Sequence, residues 1–143
     1  MKVLVTYRSR TGNTETAAEY IGGEFADRGH DVLVRPFDGV SHIEVAAADV
    51  VCVGTWVAGI VITGHHPGDR AKLMEIPMLW DKPVAAFMTY AFHAGDGIDV
   101  FADWLEERLG ANVIAGQAMK AKHAEQLAAG FVDDVLGRVK INA

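Results

Sequence analysis

Apolar residues along this chain fall into two alternating patterns, which predict alternating strands and helices. Short runs that are apolar at successive positions lie at residues 3–7, 32–34, 50–53, 84–88 and 113–115. Strands that are apolar on both faces are typical of a parallel sheet covered by helices on each side. The pattern therefore predicts five buried parallel strands.

Longer stretches between these strands have the helical period. The first apolar helical face is formed by Ala17, Ala18, Ile21 and Phe25. Gly29 follows at the position where a helix commonly ends. Residues 98–109 repeat the pattern and stop at Gly110, and residues 124–139 form a last amphipathic stretch. We therefore expect three long helices packed against the sheet.

Two weaker helical segments complete the alternation. Ser41 and Glu44 have the spacing of a capping box, and residues 69–75 form the second segment. Strict alternation of strands and helices predicts an α/β fold with an open, doubly wound parallel sheet. Because 143 residues are too few for two ordinary domains, we expect one domain over residues 1–143.

Composition and charge exclude several classes of protein. Lys and Arg number 13 against 19 Asp and Glu, so the formal charge of −6 has the wrong sign for nucleic-acid binding. The uncharged stretch at residues 50–64 is shorter than the roughly 20 apolar residues of a membrane-spanning helix. The N-terminus has no secretory cleavage pattern, and the single Cys52 cannot form an internal disulfide. We expect a cytoplasmic protein without membrane insertion, with Cys52 in its core.

The loop after the first predicted strand has the composition of a phosphate-binding turn. Residues 9–14 read Ser-Arg-Thr-Gly-Asn-Thr, with hydroxyls at three of six positions. Main-chain N–H groups in such a turn and at a helix N-terminus bind anions, and the hydroxyls donate further hydrogen bonds. The alternative interpretation is a plain helix N-cap, because Thr and Asn are favoured there without any ligand.

Other phosphate-binding motifs are absent from the sequence. No Gly-x-Gly-x-x-Gly follows the first strand, and no Gly-x-x-x-x-Gly-Lys-Ser/Thr occurs, which argues against the usual dinucleotide and nucleoside triphosphate sites. The loop holds no Cys for a cysteine phosphatase. Thr55 stands near the end of the third strand, where a phospho-receiver domain needs an Asp.

Three loops of the chain resemble those of the flavodoxin family. Residues 7–14, Tyr-x-Ser-x-Thr-Gly-Asn-Thr, resemble the family's signature for the FMN phosphate. Residues 55–59 and 90–97 are similar to its two flavin-flanking loops, and residues 105–111 close a helix as the family often does. The resemblance covers essentially the whole chain. It implies FMN as cofactor and a five-stranded parallel sheet in the order 2-1-3-4-5.

The resemblance assigns the flavin site to three groups of residues. The phosphate group would be held by Ser9, Arg10, Thr11, Gly12, Asn13 and Thr14. One side of the ring would be lined by Thr55, Trp56, Val57, Ala58 and Gly59. The other side would be lined by Tyr90, Phe92, His93, Gly95 and Asp96. Trp56 and either Phe92 or Tyr90 would stack on the ring, and the Ala58–Gly59 carbonyl would face flavin N5.

The predicted flavin loops depart from the family pattern in their charge. Many flavodoxins surround the ring with acids, which repel the anionic reduced flavin, whereas residues 57–66 contain none and Asp96 is the only acid in these loops. We therefore expect a less strongly reducing protein, and still less so at low pH if His65 or His66 lies near the ring. Residues 60–62 are apolar and either pack on a helix or form a docking patch.

The resemblance implies an FMN-dependent carrier of single electrons between a reductase and an acceptor enzyme. Such a protein needs no catalytic residue and no metal, and its acidic surface would suit a basic partner face. We expect a monomer or a weak dimer. One alternative is a flavodoxin-fold NAD(P)H-quinone or flavin reductase, or a protoporphyrinogen-oxidising enzyme. The other is a binding module that has lost the flavin, because fold analogy alone does not settle function.

Overall fold

The computed structural model describes residues 1–58, 66–67, 76–92 and 95–142. Its strands are β1 (Lys2–Tyr7), β2 (Asp31–Pro36), β3 (Val50–Ala58), β4 (His66–Pro67), β5 (Pro83–Tyr90) and β6 (Asn112–Lys120). Its helices are α1 (Asn13–Asp27), α2 (His42–Ala47), α3 (Gly97–Leu109) and α4 (Ala124–Asn142). Short 3-10 helices lie at Phe37–Gly39 and Ala121–His123. The helix predicted at residues 69–75 lies outside the described residues.

Five parallel strands form the sheet in the order β2-β1-β3-β5-β6. The short strand β4 pairs antiparallel with the end of β3, outside this path. The predicted order 2-1-3-4-5 is confirmed, since β5 and β6 are its fourth and fifth parallel strands. The strand order reverses between β1 and β3, and ligands of open α/β sheets bind at the carboxyl ends of the strands near such a point.

Helices cover both faces of the sheet, because successive residues of each strand point to opposite sides. One face packs on α1 and α4 through a cluster that includes Val5, Ile21, Phe25, Phe87 and Phe131. The other packs on α2 and α3 through a cluster that includes Leu4, Val45, Val53, Phe101 and Leu105. Cys52 is fully buried, as the sequence predicts.

The edge strand β2 is less buried than its apolar sequence suggests. Val32, Leu33 and Val34 are only half-buried, whereas the central strands β1 and β5 are almost fully buried. The reason is its position at the rim of the sheet, where the short helix α2 gives little cover.

The predicted helix ends are confirmed. Gly29, which follows the C-cap residue Arg28 of α1, lies at φ +85°, and Gly110, the C-cap residue of α3, lies at φ +69°. Ser41 Oγ accepts a hydrogen bond from the Glu44 N–H at 3.1 Å, and Glu44 Oε1 accepts one from the Ser41 N–H at 2.9 Å. The loop before α1 lies at the carboxyl edge of the sheet because it follows the parallel strand β1.

Candidate functional site

The β1–α1 loop, residues 8–12, is fixed to the sheet at its base and turns sharply at its end. The Arg8 N–H donates to the Gly54 carbonyl on β3 at 3.0 Å. The Gly12 N–H donates to Ser9 Oγ, also at 3.0 Å. Gly12 has φ +93°, and a Cβ there would meet nothing within 4 Å. Its backbone conformation, and not lack of space, therefore requires glycine.

The first turn of α1 has no side-chain cap in the described part of the chain. Gly12 is the N-cap residue, and Thr11 and Asn13 are exposed without capping the helix. The turn therefore presents N–H groups that lack a side-chain acceptor, in contrast to α2 with its complete capping box. The plain N-cap interpretation of Thr and Asn does not hold here. An anion is the natural partner for such a turn.

The hydroxyls of this loop and of the first turn of α1 have different surroundings. Ser9 Oγ accepts the Gly12 hydrogen bond, so its own hydrogen is left to donate to a ligand. Thr11 and Arg10 are exposed. Thr14 is instead buried, and its Oγ1 lies 2.8 Å from Thr89 Oγ1 on β5. The loop therefore joins exposed donors to one inward-facing hydroxyl.

A polar pocket of about 310 Å³ adjoins the loop at the ends of β1 and β2, lined in part by Tyr7, Ser9, Glu15 and Asp38. The Tyr7 hydroxyl donates to Glu15 Oε2 at 3.1 Å. Burial raises the pKa of Tyr7, and the hydrogen bond to the Glu15 carboxylate raises it further. The phenol therefore stays neutral and keeps its hydrogen bond to the Glu15 carboxylate beside the loop.

The second predicted loop is partly a strand. Thr55 is buried and Trp56 is half-buried at the end of the parallel ladder, where Trp56 pairs with Thr89. Val57 and Ala58 continue β3, because β4 supplies ladder partners beyond the end of the pairing with β5. Gly59 lies outside the described residues, so the orientation of the Ala58–Gly59 peptide stays a prediction. Residues 60–65, which include His65, also lie outside the described residues.

The third loop separates its two candidate aromatic rings. Tyr90 is half-buried and packs against the hydrophobic cluster between the sheet and helices α2 and α3. Phe92 is 71% exposed. Gly95 has φ +55°, and the exposed Asp96 is the N-cap residue of α3 without a side-chain cap bond. His93 lies outside the described residues. Of the two rings, Phe92 is the more exposed.

Sequence reasoning missed two residues that build this site. Thr89 bonds to Thr14, and Gly54 lies opposite Phe87, whose ring a Cβ at Gly54 would overlap. Both left a signal in the sequence. Thr89 is a polar residue in an otherwise apolar strand. Gly54 is a glycine within another apolar strand, and a glycine at such a position often marks the close approach of a neighbouring group.

No group of three or more metal-ligating side chains occurs within residues 1–58, 66–67, 76–92 and 95–142. Within the same residues, no helix has the length and apolar character needed to cross a membrane. The described site is thus built from hydroxyls, main-chain amides and aromatic rings.

Comparison with known proteins agrees with this geometry. The family model of the flavodoxin domain matches residues 4–131. The chain belongs to the flavodoxin family. A flavodoxin of Maridesulfovibrio salexigens is 41% identical over 58 residues, which are 38% of this chain and 40% of that protein. The matched segment thus spans less than half of that relative.

Solved structures of flavodoxins and of larger proteins share the fold. The two-electron reduced flavodoxin of Megasphaera elsdenii has a TM-score of 0.70 and 24% identity, covering 92% of this chain and 98% of that one. Rubredoxin oxygen:oxidoreductase of Desulfovibrio gigas has a TM-score of 0.75 and 21% identity, covering 98% of this chain and 36% of that one. The flavodoxin fold therefore occurs both alone and within longer chains.

FMN is the cofactor of the flavodoxin family. The β1–α1 loop fits the phosphate of that group, because its uncapped N–H groups and the Ser9 hydroxyl are hydrogen-bond donors without a positive side chain being required. The exposed Phe92 ring offers an apolar face of the kind that a flat aromatic ring system prefers. The described residues of this flavodoxin-family chain are thus compatible with the family's cofactor.

Proposed function

We propose that this protein binds one FMN molecule and carries single electrons between a reductase and an acceptor enzyme. The observation that supports this most is the uncapped first turn of α1, which follows a loop fixed by Gly12 at positive φ. Such a turn suits a terminal phosphate. When bound, FMN supplies the one-electron chemistry, and the protein supplies binding, orientation and electrostatics.

The phosphate end of the proposed site consists of residues from one loop. The Ser9 and Thr11 hydroxyls and the N–H groups of Asn13 and Thr14 donate to the phosphate, while the Gly12 N–H holds Ser9 Oγ in place. Arg10 is exposed, so it can approach the phosphate or stay in solvent without rearranging the loop. Main-chain donors hold their positions without side-chain ordering, which reduces the entropic cost of binding.

The ring lies between Trp56 and the third loop in our proposal. We assign the second stacking face to Phe92 and not to Tyr90, because Tyr90 already packs against the protein core. A stacked aromatic pair contributes about 0.5–1.5 kcal/mol beyond the burial of area. Thr55, Val57, Ala58, Gly59, His93, Gly95 and Asp96 complete the proposed lining.

We infer a weakly reducing protein from the charge of these loops. Residues 57–66 contain no acid, and Asp96 is exposed to solvent. A unit charge about 10 Å away in water contributes about 0.4 kcal/mol, or about 20 mV for one electron. Each missing acid therefore makes the second electron easier to add. The net charge of −6 favours docking on a basic partner surface.

A spectroscopic experiment tests this function. The protein is purified, and its visible spectrum is followed during photoreduction and during addition of NADPH with a quinone. We expect a bound flavin, released and identified as FMN, that takes up electrons in two separate steps and is not reduced by NADPH alone. A colourless protein that does not quench FMN fluorescence would indicate a binding module. Rapid NADPH oxidation by the isolated protein would indicate a reductase.

Two glycine variants test whether the turn at Gly12 carries the binding. Gly12→Ala forces a side chain into φ +93°, whereas Gly23→Ala lies inside α1 with equally open space and no positive φ. In the free Gly12→Ala variant the loop can relax away from φ +93°, and binding must restore that conformation, so left-handed strain of about 1–2 kcal/mol predicts FMN binding about tenfold weaker. Gly23→Ala should bind like the wild type. Equal affinity of both variants contradicts the assignment of the phosphate to this loop.

A further inference from the structure

Two threonine hydroxyls from distant parts of the sequence meet at the start of α1. Thr14 Oγ1 and Thr89 Oγ1 are 2.8 Å apart. The two residues are only 1% and 2% exposed. Thr14 is the second residue of α1, and Thr89 is the last but one of β5. The bond thus ties the first turn of the helix to the strand that leads into the third loop.

This pair has one hydrogen more than its bond requires. Each hydroxyl carries one hydrogen, and only one of the two lies between the oxygens. Thr89 stands in a strand that is paired on both sides, with Trp56 on β3 and Met119 on β6. Thr14 stands in the uncapped first turn of α1. The remaining hydrogen can therefore serve a ligand at that turn only if it belongs to Thr14.

A phosphate ester bound at the first turn of α1 determines which of the two threonine hydroxyls donates to the other. Near neutral pH its oxygens are mainly hydrogen-bond acceptors. A phosphate at the first turn therefore favours one arrangement, in which Thr89 donates to Thr14 and Thr14 donates to the phosphate. Hydrogen bonds in such a chain polarise and strengthen one another, and those to an anion are the strongest.

We propose that Thr89 is a positioning residue for the phosphate of FMN, acting through the hydroxyl of Thr14. This inference rests on the proposed FMN binding. Thr89 touches no part of the ligand in this account. Its hydroxyl fixes the direction of the Thr14 hydrogen, and its strand position links the phosphate end of the site to Trp56.

A comparison of FMN with riboflavin isolates this role, because riboflavin lacks the phosphate. Thr89→Val removes the hydroxyl and keeps the shape, whereas Thr89→Ser keeps the hydroxyl. Thr89→Val removes the hydrogen bond that directs the Thr14 hydroxyl toward the phosphate, so we expect FMN to bind about fivefold to tenfold more weakly. Riboflavin affinity should change less than about twofold, and Thr89→Ser should bind FMN nearly as the wild type does. Thr6→Val, another buried threonine of the sheet, is the matched control and should leave the FMN-to-riboflavin ratio unchanged.

Two results overturn the inference. If Thr89→Val weakens the binding of FMN and of riboflavin equally, the role of Thr89 is merely structural. If the FMN affinity is unchanged, Thr89 has no role in binding. If Thr89→Val does not fold, Thr89→Ala against Thr89→Ser makes the same comparison, since those variants differ only in the hydroxyl oxygen.

Binding of inorganic phosphate, measured by ³¹P NMR, separates this inference from the proposed function. A wild-type protein that binds phosphate but not FMN contradicts FMN binding, and the phosphate affinities of the Thr89 variants then decide the role of Thr89. A wild-type protein that binds neither overturns both.

Discussion

Buried threonine hydroxyls differ strongly in their hydrogen bonding within this one fold. The described residues bury four threonines, namely Thr6, Thr14, Thr55 and Thr89. Thr14 and Thr89 satisfy one another, whereas Thr6 Oγ1 has no hydrogen-bond partner within the described part of the chain. A buried hydroxyl without a partner loses its bonds to water and gains nothing in return.

Replacing Thr6 should therefore stabilise the protein. Thr6→Val keeps the shape of the side chain and removes the unpaired hydroxyl, so we expect the free energy of unfolding to rise by about 1–2 kcal/mol. Urea unfolding should show a higher midpoint with an unchanged slope. Thr89→Val is the control and should lower stability, since it leaves the Thr14 hydroxyl without its partner. A lower midpoint for Thr6→Val contradicts this account.

Cys52 makes stability depend on pH in the alkaline range. Complete burial raises the pKa of its thiol to about 12. In the unfolded chain the thiol ionises near about pH 8.5, so above that pH the unfolded state binds fewer protons than the folded one. The free energy of unfolding should therefore fall with rising pH, by about 1.4 kcal/mol per pH unit from this group, until the folded-state pKa is reached. Below about pH 8.5 the contribution is fully present.

The Cys52→Ala variant isolates that contribution. Between about pH 8.5 and about pH 10, the wild type should lose about 2 kcal/mol more stability than the variant does. Parallel unfolding curves of both proteins at the two pH values measure the difference. Equal pH slopes would show that the thiol is accessible to water in the folded protein.

At the scale of elements, the contact between β3 and β5 is set by a glycine. Gly54 pairs directly with Phe87, and a Cβ at Gly54 would overlap the Phe87 ring. That ring cannot move away freely, because it is fully buried and lies edge-on to Phe131 with 6.1 Å between the ring centroids. The Gly54 carbonyl also accepts the Arg8 N–H, so this contact supports the loop of the site.

Gly54→Ala should destabilise the fold by about 1–3 kcal/mol through overpacking. Thermal unfolding should show a lower midpoint, and Phe87→Leu added to Gly54→Ala should restore part of the loss by making room. Gly137→Ala is the control, because a Cβ there meets nothing within 4 Å and alanine favours a helix. An unchanged midpoint for Gly54→Ala would mean that the ring repacks at no cost.

The elements themselves could be predicted from local sequence signals. The apolar runs predicted five parallel strands, which the structure contains. Gly29, Gly110 and the Ser41–Glu44 pair predicted helix ends that the structure also shows. The strand ends could not be predicted in the same way. β3 runs on to Ala58 because β4 pairs with it, and pairing between separate segments leaves no periodic signal in either one.

At the scale of the whole molecule, the carboxyl ends of three neighbouring strands, β1, β3 and β5, lie side by side near the point where the strand order reverses. Their residues are far apart in sequence, and the parallel order alone brings the ends of β1, β3 and β5 together. The loops and their residue types could therefore be predicted. The direction of each side chain could not, since Thr14 turns inward to Thr89 while Phe92 stays exposed. Such choices depend on packing between elements.

A titration followed by ¹H–¹⁵N NMR tests the central claim, that main-chain donors of the first turn of α1 hold the FMN phosphate. We predict that the amide signals of residues 12–15 shift on addition of FMN and of inorganic phosphate, and much less with riboflavin. The amide of Glu44 in the capped first turn of α2 is the internal control and should not move. Saturation with FMN that leaves the amides of residues 12–15 unmoved would contradict the account.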